Sequence, residues 1–202
     1  MNVEEVDFSQ RGEQAVILRL LDGRSGRFLD IGANDGRTFS NTYALALRGW
    51  SGLCIEPSPR AFVALREIYR EKMDIACMHA AVTDRSEEPV KLWDFVDSLV
   101  STCVAAERDK WEFVAGKPTE IDVPSVDVKW ICDHYAGTFE MVSIDAEGWS
   151  WPILERCPLE AWMTKLVVVE YGDRLAEIVD MIVQRQGFVL HMMTPENLVF
   201  AR

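Results

Sequence analysis

Short runs of apolar residues alternate with amphipathic segments over most of the 202 residues. Near the start, apolar residues at helical spacing predict a leading helix over 10–21. Later apolar runs, bounded by polar or glycine-containing turns, predict strands at 27–31, 53–55, 74–82, 90–95, 141–145 and 166–170. Between them, apolar periodicity and capping residues predict helices over 38–48, from 59 onward, from about 125 to 135, over 151–157 and over 175–185.

Residue types at the segment boundaries support these predictions. Ser and Asp are preferred N-caps, proline suits the first helical turn, and glycine ends helices. The predicted caps are Ser58 with Pro59, Pro124 with Ser125, and Asp173, and the predicted helix stop is Gly187.

Strands that alternate with helices are typical of an α/β fold with a doubly wound, mostly parallel sheet. The last two apolar runs, 188–192 and 198–201, flank a turn and predict a closing antiparallel hairpin. The length suits one domain over 1–202. Ligands bind at the carboxyl ends of the strands in such sheets, and four acids end predicted strands there: Asp30, Glu56, Asp145 and Glu170.

The segment 96–120 has no steady period, is polar, and contains Gly116 and Pro118. Two interpretations stay open, a lid or substrate loop of an active site and a plain long loop. Long loops in compact domains are disproportionately functional.

The turn after the first strand predicts a nucleoside cofactor. Gly32, Asn34, Asp35 and Gly36 form it, and Glu56 follows at the end of the second strand. Glycines let a ligand approach the backbone, and a helix N-terminus attracts a carboxylate or phosphate. An acid at the end of the second strand accepts hydrogen bonds from ribose hydroxyls. A tight turn without a ligand is the alternative.

Two residues favour S-adenosylmethionine over a dinucleotide. Asn34 replaces the second glycine of the dinucleotide fingerprint, which disfavours a pyrophosphate. Asp30, just before the turn, suits a cationic ligand such as a sulfonium. The turn therefore predicts a site for the methionine end of this cofactor.

The chain is strongly acidic, with 33 Asp and Glu against 21 Lys and Arg and a net charge of −12. Such a charge disfavours nucleic acid and anionic lipid partners but tolerates a neutral or cationic substrate. No apolar run approaches the ~20 residues that span a membrane.

The five cysteines are odd in number, widely spaced and free of Cys-x-x-Cys pairs. They predict free thiols in a reducing compartment rather than disulfides or a zinc site. The segment 1–7 lacks a signal-peptide pattern, so a cytoplasmic location is expected.

Eight segments, in order, resemble motifs of the FkbM family of S-adenosylmethionine-dependent methyltransferases. They are 9–14 (SQRGEQ), 28–36 (FLDIGANDG), 40–42 (SNT), 49–52 (GWSG), 54–59 (CIEPSP), 79–82 (HAAV), 143–148 (SIDAEG) and 168–170 (VVE). The resemblance implies a Rossmann-like class I methyltransferase fold with a seven-stranded sheet.

The resemblance also implies a set of cofactor-binding residues. The methionine end would lie over the glycine turn, Glu56 would hold the ribose, and Ala81 and Val82 would flank the adenine. The full set is Gln10, Asp30, Gly32, Asn34, Asp35, Gly36, Thr38, Ser40, Glu56, Pro57, Ala81, Val82 and Asp145. Many relatives have an acid where this chain has Ser150, and Trp149 and Trp151 flank it, so the substrate pocket is expected to differ.

Methyl transfer to a hydroxyl needs alignment and a base for the proton. Asp145 is the first candidate, and Glu147, Glu170 and His191 are expected to assist. Neighbouring carboxylates raise one another's pKa, which suits a base near neutral pH. The alternatives are a helix cap for Asp145 and a core position for His191.

Three acids and a histidine also suit a divalent metal, but no spacing identifies a metal site, and none is assigned. The expected function is O-methylation of a hydroxyl on a sugar, glycan or small natural product. A methyltransferase-like module without catalysis and a nicotinamide-dependent enzyme are the alternatives. The acceptor and the oligomeric state stay open.

Overall fold

The computed structural model describes residues 6–95 and 101–202. Its strands in chain order are β1 (Arg27–Ile31), β2 (Ser51–Glu56), β3 (Ile75–His79), β4 (Ala81–Val82), β5 (Val90–Asp94), β6 (Ser101–Thr102), β7 (Thr119–Val123), β8 (Ser125–Val126), β9 (Met141–Ile144), β10 (Leu166–Glu170), β11 (Val189–Met193) and β12 (Asn197–Ala201). Its helices are α1 (Glu13–Leu20), α2 (Tyr43–Leu47), α3 (Pro59–Ile68), α4 (Ala105–Ala115), α5 (Val128–His134), α6 (Ser150–Arg156) and α7 (Leu175–Val179), which a π-helical segment, Asp180–Arg185, continues.

Seven strands form the main sheet in the order β11-β12-β10-β9-β1-β2-β3. The strands from β10 to β3 pair in parallel, whereas β12 is antiparallel to both β10 and β11. In the centre, Asp30 of β1 lies opposite Cys54 of β2 and Ser143 of β9. The predicted mostly parallel sheet with a C-terminal antiparallel hairpin is confirmed.

Both faces of the central strands are apolar because helices cover both faces of the sheet. On one face, Leu29 and Val142 pack in a cluster with Ile131 of α5 and Ile153 of α6. On the other face, Phe28, Met141 and Val168 pack in a cluster with α1, α2 and α3 through Ile17, Leu45 and Leu65. Each such side chain contributes about 1.5–3 kcal/mol when fully buried. The polar rim at the strand ends therefore sits on a rigid base.

The helix predicted over 38–48 is wrong in its first half, because α2 begins only at Tyr43. Asp35 accepts hydrogen bonds from the backbone N–H groups of Arg37 and Thr38, which makes a tight turn. Phe39 then has a φ of 56°, a left-handed conformation that is incompatible with a regular α-helix at this position. These turns leave the backbone after β1 irregular along the rim.

The strand predicted over 74–82 is broken at Ala80 into β3 and β4. β4 leaves the main sheet and pairs in parallel with β8. The prediction that Pro124 and Ser125 cap a helix is therefore wrong. The cap of α5 is Asp127, whose side chain accepts the N–H of Trp130 at 2.6 Å.

The described part of the segment 96–120 is not a plain long loop. It contains β6, α4 and the start of β7, while 96–100 lie outside the described residues. The strands β6, β5 and β7 form a small antiparallel sheet. The helix α4 could not be predicted from apolar periodicity because none of its residues is buried, and its Phe113 is 94% exposed.

The predicted caps at the other two helices have different outcomes. Ser58 caps α3 as predicted, with Pro59 in its first turn. Asp173 does not cap α7, since the residue at the N-cap position is Arg174, whose side chain makes no capping hydrogen bond. Gly187 follows the π-helical segment with a φ of 72°. No helix among residues 6–95 and 101–202 has the length and apolar character to cross a bilayer.

Candidate functional site

A cavity of about 680 Å³ opens at the carboxyl ends of the central strands. The four acids predicted to end strands, Asp30, Glu56, Asp145 and Glu170, all line it. They come from β1, β2, the residue after β9, and β10, which are neighbours in the sheet. The parallel topology alone brings these acids to one rim.

The cavity brings together every residue selected from the sequence except two. Those that line it are Gln10, Asp30, Gly32, Asn34, Asp35, Thr38, Ser40, Glu56, Pro57, Ala81, Val82, Asp145, Glu147 and Glu170. Gly36 and His191 are not among its lining residues.

Gly32 is required by the crossing of two backbones at the base of the cavity. Its φ is 80°, and a Cβ atom there would lie 1.7 Å from the backbone oxygen of Asp145. Its N–H and that of Ala33 both donate to the carbonyl of Ile55. The turn after β1 is thus held between the ends of β9 and β2. The space that a Cβ atom would need at Gly32 is therefore occupied by the Asp145 carbonyl.

Gly36 packs against α3 instead of facing the cavity. A Cβ atom there would lie 2.6 Å from Leu65 and 3.0 Å from Tyr69. The Tyr69 hydroxyl donates to the Gly36 carbonyl at 3.2 Å. The assignment of Gly36 to cofactor contact is therefore corrected to a packing position under the turn.

His191 lies away from the cavity and is not brought to the other site residues. It is exposed on β11, the edge strand, two strands beyond β10. The register of β11 with β12 shifts between Leu190 and Met192, so His191 occupies a bulge. His191 is therefore neither part of the cavity nor a core residue.

Glu56 is held by backbone groups from both sides. Its Oε2 accepts the N–H of Asn34 and its Oε1 accepts the N–H of Ser58, each at 2.8 Å. Its side chain is buried, and burial raises its pKa to about 7, although the two backbone bonds oppose that shift. Two lone pairs remain to accept further hydrogen bonds, because each carboxylate oxygen has two.

Asp30 and Asn41 also line the cavity. Asp30 accepts the hydroxyl proton of Thr42, and burial raises its pKa to about 6. The amide of Asn41 donates to the Ser143 hydroxyl at 3.4 Å. Among the described residues, Asn41 Oδ1 is the one buried side-chain acceptor without a partner. A donor in a ligand would satisfy this oxygen.

Three carboxylates converge where β9 and β10 end. Ligand oxygens of Asp145, Glu147 and Glu170 lie within 4.8 Å of one another. Asp145 is accessible from the cavity, yet protein surrounds it at the base. This burial, with the charges of Glu170 and Glu147, raises its pKa well above the ordinary value. Burial and Glu170 raise the pKa of Glu147 to about 7, and burial also raises that of Glu170.

A divalent cation could bind these three carboxylates, since hard cations prefer oxygen ligands. Two of the carboxylates already have protein partners. Glu170 accepts the Ser150 hydroxyl at 3.1 Å, and Glu147 accepts the indole N–H of Trp111 at 3.1 Å. No metal is assigned to the site on the present geometry.

The segment from β6 to α4 contributes residues that the sequence did not identify. Ser101, Cys103 and Trp111 line the cavity. The Thr102 hydroxyl donates to the Glu147 carbonyl at 2.8 Å, which fixes β6 against the turn after β9. Glu147 itself has a φ of 36°, a strained value for a residue with a side chain. In the sequence, one feature could have indicated that Trp111 belongs to the site: it is a tryptophan in an irregular polar segment.

A family model for the methyltransferase FkbM domain matches residues 30–190, which is most of the chain. The chain belongs to the FkbM methyltransferase family. A comparison with curated proteins finds no match.

Solved structures similar to this FkbM chain share its fold. A methyltransferase from Geobacter sulfurreducens has a TM-score of 0.52 at 11% identity, over 98% of this chain and 82% of the other. The METTL16 methyltransferase domain has a TM-score of 0.50 at 11% identity, over 93% of this chain and 65% of the other. The fold is the Rossmann-like class I methyltransferase fold.

The cofactor of this FkbM protein is S-adenosylmethionine, and the cavity fits it. The free lone pairs of Glu56 suit the two ribose hydroxyls. The unpartnered Asn41 Oδ1 and the acid Asp30 suit a ligand with an ammonium group and a sulfonium. When bound, the cofactor supplies a methyl group that its positive sulfur activates.

Proposed function

We propose that the protein transfers the methyl group to a hydroxyl of a sugar, glycan or small natural product. The observation that carries this proposal is the group of raised-pKa carboxylates at Asp145, Glu147 and Glu170 in the cofactor's own cavity. Such groups suit removal of a hydroxyl proton near neutral pH.

The order of the strands separates the cavity into two ends. We call the part around Glu56, Ala81 and Val82 the cofactor end, and the part around Glu147 and Glu170 the acceptor end. The strands β2 and β10, which carry Glu56 and Glu170, are three strand positions apart, or about 14 Å. That span leaves room for the ribose on one side of β1 and an acceptor on the other.

The cofactor end is proposed to work by positioning. Glu56 and Pro57 would hold the ribose, Ala81 and Val82 the adenine, and Gln10, Asp30, Asn34, Asp35, Thr38 and Ser40 the methionine end. Gly32 shapes the turn that carries them. Alignment of the acceptor with the methyl group supplies most of the rate.

Asp145 lies between the two ends, after the strand next to β1, and is the proposed base. The acceptor oxygen forms a bond to the methyl carbon while the carbon–sulfur bond breaks and its electron pair goes to sulfur. Asp145 takes the hydroxyl proton, since its raised pKa makes it a stronger base than an ordinary carboxylate. Burial raises that pKa most, and the charges of Glu170 and Glu147 raise it further.

The decisive test replaces Asp145 with Asn and separates binding from turnover. Calorimetry with S-adenosylhomocysteine is expected to give nearly the wild-type affinity, while S-adenosylhomocysteine release with a panel of hydroxyl acceptors falls by about 10²–10⁴. Asp133→Asn, on the exposed face of α5, is the matched control. Full turnover by Asp145→Asn, or tight cofactor binding with no acceptor turned over by wild type, would contradict the proposal.

The state of the cysteines and the net charge bear on the cellular location and on the class of acceptor. All five cysteines are free, which supports a reducing, cytoplasmic location. The net charge of −12 supports small-molecule or glycan acceptors over nucleic acid. All of the site residues except Gly36 and His191 line one cavity, which supports one catalytic domain.

A further inference from the structure

The acidic character of the cavity bears on which acceptors it admits. Among the described residues that line it, acids outnumber cations seven to one: Asp30, Asp35, Glu56, Asp145, Glu147, Glu170 and Glu196 against Arg60. Arg60 lies at the start of α3, beyond β2, and donates to the carbonyl of Phe95. The acceptor end therefore has no cation on its wall among the described residues.

Two indole rings line the cavity beside these acids. Trp111 and Trp149 are both partly buried and line it. The hydrogen bond from Trp111 Nε1 to Glu147 fixes the edge of that ring, and the ring lines the cavity beside this carboxylate. Indole faces attract cations because of the ring's quadrupole.

A lysine on the outer side of α4 already lies over the Trp111 ring. Lys110 Nζ lies 5.0 Å from the centroid of Trp111 and 3.0 Å from Glu107. The Lys110 side chain is 63% exposed and does not line the cavity. It weakens the negative potential at Glu147 and Glu170, but the described residues that line the acceptor end still include no cation.

We propose that the acceptor carries an ammonium group near the hydroxyl that is methylated, and that this ammonium binds between Trp111 and the carboxylates of Glu147 and Glu170. The inference rests on the proposed O-methyl transfer. An amino sugar or amino alcohol has this chemistry. An ammonium group relieves the repulsion between the carboxylates, whereas an anionic acceptor would increase it.

Binding in this place also explains why oxygen rather than nitrogen would be methylated. An ammonium between two carboxylates keeps its proton and therefore has no lone pair to attack the methyl carbon. A neighbouring hydroxyl would then face Asp145, the proposed base. The indole wall favours an organic cation over a divalent metal, because indole offers a metal no oxygen ligand.

The test compares three probes on the protein saturated with S-adenosylhomocysteine. Glucosamine carries the ammonium, N-acetylglucosamine replaces it with a neutral amide, and glucuronate carries a negative charge. Titration calorimetry is expected to show glucosamine binding about tenfold tighter than N-acetylglucosamine, with glucuronate weakest. Glu147→Gln and Glu170→Gln should reduce this ratio to about threefold or less.

Two further variants serve as controls. Glu112→Gln changes an exposed acid on α4 outside the cavity, so the tenfold ratio should persist. Trp111→Leu should weaken glucosamine more than N-acetylglucosamine, because leucine removes the indole face.

Equal affinities, tighter glucuronate binding, or no glucosamine binding would each overturn the inference. Mn²⁺ binding that requires Glu170 and displaces glucosamine would also overturn it. If N-acetylglucosamine is methylated as fast as glucosamine, the inference fails while O-methyl transfer stands. If glucosamine binds as expected and no acceptor is methylated, the proposed function fails instead.

Discussion

The cofactor end and the acceptor end hold their carboxylates in different ways. Glu56 is fixed by the backbone N–H groups of Asn34 and Ser58, which any sequence with the same turns would supply. Glu147 and Glu170 are instead fixed by the side chains of Trp111 and Ser150. A few substitutions would therefore rebuild the acceptor end and leave the cofactor end intact.

The largest expected effect is on the free energy of unfolding, and it comes from a substitution at Gly32, where the two ends meet. Gly32→Ala would place a methyl group 1.7 Å from the Asp145 carbonyl, so backbone rather than a side chain would have to move. We expect a loss of about 4 kcal/mol or more in the free energy of unfolding, or no cooperative transition at all in urea.

Gly187→Ala is the matched control for that experiment. Its φ is also positive, at 72°, but a Cβ atom there meets nothing within 4 Å. Its expected cost is only about 1–2 kcal/mol of left-handed strain. Equal stability of the two variants would show that the two ends are not joined through Gly32.

The next largest effect is on cofactor affinity, which is expected to fall for a substitution at the cofactor end but not for one at the acceptor end. Glu56→Gln turns an accepting oxygen into an N–H₂ group that faces a backbone N–H donor. Because the change also removes an acceptor for the ribose hydroxyls, a loss of about 1.4–2.8 kcal/mol in binding free energy is expected, which calorimetry would record as about 10- to 100-fold weaker S-adenosylhomocysteine binding. Glu147→Gln should change that affinity by less than about threefold. The reverse order would mean that the two ends are assigned the wrong way round.

The smallest expected effect is a pH dependence of the protein's stability, to which carboxylates at both ends contribute. Burial raises the pKa of Asp30 to about 6 and those of Glu56 and Glu147 to about 7. Between the ordinary values near about 4 and these raised values, the folded protein holds protons that the unfolded chain has released. Stability therefore falls as pH rises through this window.

Thermal unfolding of the ligand-free protein tests this sign. We expect Tm to fall by roughly 3 °C or more between about pH 5 and pH 8, with a smaller fall for Glu147→Gln. A Tm that rises over the same interval would contradict the raised pKa values.

The contrast between the two ends also explains what the sequence could predict. The turn after β1 and Glu56 lie within 30 residues of each other and form a local pattern, so the sequence could select residues there that line one cavity. Gly36 was misassigned because its contact with Tyr69 depends on how α3 packs.

The acceptor end combines residues that are far apart in the chain. Trp111 meets Glu147 across 36 positions, and the exposed helix that carries it has no apolar stripe to reveal it. His191 was selected from its residue type, whereas the bulge in β11 places it on the surface. Tertiary packing, not local pattern, decides these positions.

The most direct test of the central claim is a crystal structure with S-adenosylhomocysteine bound. The account predicts that both ribose hydroxyls bond to Glu56, that Ala81 and Val82 flank the adenine, and that the sulfur faces Asp145. The space beyond the sulfur would then be bounded by Trp111, Glu147 and Glu170. A cofactor with its ribose on Glu170, or with its sulfur turned away from Asp145, would contradict it.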